Sequence, residues 1–234
     1  MKVCIKSALV AIAILIAGCA AAPQPAVYLP QNSLVSQTSR MGIVMTALPK
    51  VDMVLPGAGV SSGCLLCMAI ASISNFSLAA HVRTLPYEDL RQIKEYIGES
   101  LCNKGINVTV IEENLNVEAL AEASAKGLNL ASRDFSPLQQ KYNVDKLLVI
   151  DINTLGVLRT YTAYLSTSNP QAVLQGAGYI VNLKNNAYEW YMPVNIVRSS
   201  DGDWDQPPNF PRLTKAYFQT LKTGKDNFLR PFDP

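Results

Sequence analysis

The sequence predicts a single α/β (α+β) domain in which helices pack on a mixed sheet that ends in an antiparallel meander. Three observations lead there. Short strand-like runs alternate with helical patterns through residue 142. Lys146–Ile152, KLLVIDI, is the most core-like strand in the chain. Three extended segments then follow, separated by turn residues.

Taken in order, Gly42–Leu48 reads as a buried strand stopped by Pro49. Residues 57–80 carry Gly57, Gly63 and the run CLLCMAIASI, and read as an apolar loop leading into a helix. Pro86 suits a first helical position, and Glu88 and Asp89 favour a helix N-terminus. Leu90, Ile93, Ile97 and Leu101 share one face of that helix, and Gly105 ends it. Asn107–Ile111 is a β-branched strand. Residues 113–131 are Ala-rich and mildly helical, with Gly127 near the end. Ser136 and Pro137 form an N-cap and N1 pair for a short helix through Tyr142. After the strand at Lys146, extended segments are expected at about 155–165 and 172–183, divided by Ser168-Asn169-Pro170. A third, at about 187–198, follows the turn Lys184-Asn185-Asn186. Residues 201–211 form a loop, and Leu213, Tyr217 and Leu221 mark a C-terminal helix.

The N-terminus is a separate signal. Lys2 and Lys6 precede an apolar run, Ser7–Ile16, and then Ile16-Ala17-Gly18-Cys19. This is a secretory signal whose end resembles the lipobox of bacterial lipoproteins. The resemblance implies cleavage before Cys19 and acylation of its thiol, and Ala20 in place of Asp implies transfer to the outer membrane. The expected organisation is a signal peptide over 1–18, a flexible tether over 19–40 rich in Ala, Pro, Gln and Ser, and one periplasmic domain over 41–234. Without Lys2 and Lys6, eighteen basic and eighteen acidic residues remain, so no basic surplus points to nucleic acid.

The cysteines Cys64, Cys67 and Cys102 carry the main chemical question. In an oxidising compartment they suit a disulfide among the three, or burial as small hydrophobes. A redox pair at Cys64 and Cys67 is the alternative, although no Trp, Pro or charged residue brackets it. A zinc site from these three and His81 has the right number of ligands but no standard spacing. His81 is the single histidine, which excludes HExxH. Asp201, Asp203 and Asp205 alternate as calcium ligands do, yet Pro207-Pro208 interrupts the loop. Asp145 and Asp151 flank the core strand, and Gly176 and Gly178 mark a bulge or a close approach. No catalytic set, metal or cofactor is expected. Tyr161, Tyr164, Tyr179, Tyr188, Trp190 and Tyr191 suit the core more than an interface, while residues 57–76 suit either.

The lipobox, the tether, the GIVMTALP strand, the helix–strand–helix order, DKLLVIDI and the hairpin GYIVNLKNNAYEWY together resemble bacterial lipoproteins with a TolB amino-terminal-domain-like or CsgG-like fold. The resemblance spans about residues 41–198. It implies an envelope accessory or scaffold protein, held at the outer membrane by its N-terminal lipid. Such a protein works through contacts with envelope proteins or as a homo-oligomer. A periplasmic thiol–disulfide protein and a cell-wall binding module are the alternatives.

Overall fold

The structure is a computed structural model that describes residues 23–29, 39–58 and 63–233. The expected signal peptide and the expected lipidation site, Cys19, lie outside these residues. In chain order the elements are β1 (Met41–Met45), β2 (Asp52–Val54), α1 (Leu65–Ser74), α2 (Phe76–Val82) and α3 (Ile93–Asn103). Then come β3 (Val108–Val110), α4 (Pro137–Tyr142), β4 (Lys146–Leu158), β5 (Tyr161–Thr162) and β6 (Leu165–Ser166). β7 (Gln171–Asn182), β8 (Ala187–Ser199) and α5 (Pro211–Leu229) complete the chain.

β4 is apolar on both faces because both are covered. Leu148, Ile150 and Ile152 point to one side, where α3 and α5 contribute Ile93, Ile97, Leu101, Tyr217 and Phe228. Leu147 and Val149 point to the other, against Phe135, Leu138 and Tyr179. The main sheet runs β3-β1-β4-β7-β8, with β2 beside the far end of β4. β1 is parallel to β3 and β4, and β4, β7 and β8 are antiparallel. This is the mixed sheet with a meander and packed helices that the sequence predicts.

Four expectations differ in detail. Residues 113–131 form no α-helix: after a 3-10 turn at Val117–Ala119, Ala123 N–H donates to Ser132 O and Asp134 N–H to Ala121 O. Asn129 adopts φ +61, and its carbonyl accepts from Tyr188 N–H at 2.8 Å. Long-range pairing with the β7–β8 turn thus overrides the local preference of alanine. The segment predicted at 155–165 is instead the second half of β4, which continues through a register shift between Ile152 and Thr154, and Tyr161–Ser166 folds into its own small hairpin. The shift faces Gly176, where a Cβ would sit 2.1 Å from Asp151 O, so close approach of the two backbones excludes a side chain. Ser136 and Pro137 hold the N-cap and first positions of α4 as expected, but the Ser136 side chain makes no capping bond; its N–H donates to Asp134 Oδ1 at 3.0 Å. Finally, part of the predicted tether is docked. Val27 and Tyr191 exchange backbone hydrogen bonds of 2.8 and 3.0 Å, and Gln24 Nε2 donates to Asn129 Oδ1 at 2.9 Å.

Candidate functional site: an apolar helix turned outward

α1 begins where Gly63 takes φ +66 and releases the chain into a helical turn. Cys64 is its N-cap residue, and Cys64 and Cys67 are joined by a disulfide across that first turn. Cys67 N–H donates to Cys64 Sγ at 3.2 Å. No acidic side chain occupies the first turn and no basic one the last.

The residues that α1 and α2 turn inward are Cys67, Ala71, Asn75, Leu78 and Val82, at helical spacing. Those on α1 are small or polar. The large aliphatic side chains point away from the domain: Leu65 is 79% exposed, Leu66 71%, Ile73 76% and Phe76 76%, with Met68 and Ile70 also exposed. This reverses the amphipathicity of a helix on a water-soluble surface. From Met53 to Val82 the chain has no Asp, Glu, Lys or Arg. Of residues 57–76, which suited core or interface on sequence, α1 and Phe76 turn their large apolar side chains outward, while Ala58, Cys67, Ala71 and Asn75 are buried.

The attachment beneath this face is small. Ala58, Ala71 and Tyr161 form a separate buried cluster, with Leu55 against it. At the 69° bend between α1 and α2, buried Asn75 supplies the polar link. Its Nδ2 donates to Ala71 O at 2.6 Å and to Tyr161 Oη, and its Oδ1 accepts from Arg159 Nη1 at 2.9 Å. The Arg159 guanidinium also lies 5.1 Å from the Trp204 ring centre and 5.9 Å from that of Tyr161. Sequence reasoning missed Asn75, Arg159 and Trp204, since nothing local links positions 84 residues apart. Among the described residues no single helix is long and apolar enough to cross a membrane, while the bent α1–α2 pair passes that test jointly.

The other candidate residues are dispersed. Cys102 is a free, exposed thiol on α3. The disulfide leaves no thiolate at 64 or 67, and no metal-binding group of three His, Cys, Asp or Glu residues occurs among the described residues. His81 Nε2 lies 2.8 Å from Thr214 Oγ1, its ring rests on Phe210, and burial lowers its pKa. Asp145 accepts from Arg40 N–H at 2.9 Å, and that bond, with help from the guanidinium, holds its pKa below the carboxylate range. Asp201 pairs with Lys215 at 3.3 Å. Asp151 is partly buried and accepts from Thr46 Oγ1 at 2.9 Å; burial raises its pKa. Tyr179, Tyr188 and Tyr191 pack on one another, and burial pushes Tyr188 up to about 12. Tyr161, Tyr179 and Trp190 are buried, whereas Tyr164 is exposed. A groove of about 280 Å³ lies between residues 86–90 and Phe218, Leu221 and Lys225 of α5.

No family model matches the chain, and no curated protein does. Among solved structures, the PelC dodecamer from Paraburkholderia phytofirmans is similar at 8% identity and TM-score 0.31, over 90% of this chain and 98% of that one. Protein XCC0632 from Xanthomonas campestris, a DUF330 protein, is similar at 11% identity and TM-score 0.37, over 88% and 91%. Lipoprotein GNA1162 from Neisseria meningitidis is similar at 13% identity and TM-score 0.27, over 79% and 99%. Likenesses at this level transfer no activity, site or partner to this chain.

Proposed function

We propose that the chain is a lipid-anchored protein of the bacterial outer membrane that faces the periplasm. There it serves envelope assembly or export as an accessory or scaffold, through protein–protein contacts and without catalysis. The observation that carries this reading is the outward apolar face of α1, an exposed hydrophobic surface that sets the domain against the envelope and leaves its other faces to protein partners. The Ile16-Ala17-Gly18-Cys19 signal and Ala20 support the anchor. The Cys64–Cys67 disulfide supports an oxidising compartment. A contact role also accords with the engaged state of the polar candidates: His81 is bonded to Thr214, Asp145 to Arg40 and Asp151 to Thr46. Two surfaces away from α1 suit a protein partner. One is the outer edge of β8 beyond Tyr191, with exposed Asn195 and Val197; the other is the groove beside Phe218.

The test is twofold. Mass spectrometry of the mature chain should find an acylated N-terminal Cys19, and crosslinking in intact envelopes should recover the same partner proteins repeatedly. An unmodified N-terminus at another position, or crosslinking to no protein, refutes the corresponding half.

One observation favours a thiol–disulfide role instead: Cys64 sits at a helix N-terminus, where a thiolate is stabilised. The charge-free surroundings of residues 53–82 oppose it. Titration of the pair against glutathione separates the readings. A pair that equilibrates readily with the glutathione pool supports the redox role, and an inert pair excludes it.

A further inference from the structure

We propose that the outward face of α1, together with Phe76 at the start of α2, lies in the interfacial layer of a lipid bilayer as a second membrane contact. The inference rests on the lipid-anchored reading above, and names what covers this face.

Four observations select lipid. First, the helix is inverted: Cys67 and Ala71 face the protein while Leu65, Leu66, Ile73 and Phe76 face away. Second, residues 53–82 contain no formal charge, so nothing ionised has to be carried into the apolar layer. Third, the face is small. The strip runs along helices of ten and seven residues that meet at a 69° bend, so it offers no flat patch to a second copy. Insertion into a bilayer needs no surface of matching shape: several large apolar side chains leaving water together give measurable binding without the acyl anchor.

Fourth, the described N-terminal segment, which follows Cys19 in the chain, and α1 lie toward opposite ends of the sheet. Val27 is bonded to Tyr191, which pairs through Tyr179 with Val149, toward the start of β4. α1 rests on Leu55, Ala58 and Tyr161, beyond the end of β4 at Leu158. Nine residues of strand separate these levels by about 30 Å. Two attachments so far apart lay the sheet along the bilayer and leave α3, α5 and the β8 edge to be shared with other proteins.

The experiment uses the processed chain, residues 19–234, with Cys19→Ser, floated with vesicles of neutral phosphatidylcholine at 0.1 M and 1 M salt. The unacylated chain should float at both, because no charge is available to screen. Leu65→Ser, Leu66→Ser, Ile73→Ser and Phe76→Ser combined should lower the vesicle-bound fraction at least about tenfold, with the circular dichroism spectrum unchanged. Failure of the unacylated chain to float overturns the inference, as does equal flotation of the fourfold variant. Binding confined to anionic vesicles and lost in 1 M salt overturns it too. So does a lipid-free dimer that the fourfold variant abolishes, since that places a second copy on the face. The mass of Cys19 in the native protein tests the anchor separately: flotation of the unacylated chain with an unmodified native Cys19 keeps this inference and removes the anchor.

Discussion

Replacing Asn75 by alanine should loosen α1 while leaving the sheet intact. The substitution removes the bonds to Ala71 O and Tyr161 Oη and the one received from Arg159. Two neutral hydrogen bonds contribute about 1 kcal/mol each, and one to a charged group about 1.5–3 kcal/mol. Arg159 is only partly buried and keeps its contact to Ser168 O, so water recovers some of its share. The net loss is about 3 kcal/mol, equivalent to a local opening constant raised roughly a hundredfold. Because α1 is fastened through a small cluster separate from both main cores, this loss stays local. Hydrogen exchange read by mass spectrometry checks it. Protection in a peptide covering 65–74 should fall about a hundredfold, while one covering 147–157 holds. Equal loss in both peptides would show that α1 and the sheet open as one unit, and would refute the reasoning.

Asp151→Asn should raise the melting temperature at pH 7. The native pKa is raised, chiefly by burial, so the charged form costs the folded state stability as pH climbs from the unfolded carboxylate pKa through the folded one. The asparagine Oδ1 can still accept from Thr46, and the gain should vanish once both states are protonated, below about pH 3. A gain that persists at low pH would contradict this cause. Gly176→Ala should destabilise the fold by about 3 kcal/mol or more, because its Cβ would meet Asp151 O at 2.1 Å and neither backbone can yield; a urea midpoint within error of wild type would refute the close approach. Alkylation of the native protein should modify Cys102 and spare Cys64 and Cys67 until reductant is added. Labelling at 64 or 67 without reductant would contradict the disulfide.

The elements read correctly from sequence are those whose information is local. Leu213, Tyr217 and Leu221 recur at helical spacing, and α5 follows. The β-branched residues of β4 and the turn around Asn186 at φ +60 likewise place β4, β7 and β8. Residues 113–131 show the opposite case. Their alanines favour a helix, but Ala123 and Ala131 bury against distant elements and Asn129 joins Tyr188, so partners about sixty residues away decide the conformation. The bulge at Asn153 was half visible, since Gly176 and Gly178 marked a close approach without saying which strand would bend.

For the candidate site, the sequence by itself determined the ingredients: a cysteine pair one helical turn apart, an uncharged stretch from 53 to 82, and apolar side chains dense enough for a helix. It did not determine which side of that helix turns inward. A segment apolar all round has no strong polar face to orient it. Orientation came from contacts made across the fold, where Asn75 meets Arg159 and Tyr161 and draws Cys67 and Ala71 under the helix. Only the tertiary structure, which brings these residues together, decided that Leu65, Leu66, Ile73 and Phe76 face away from the protein.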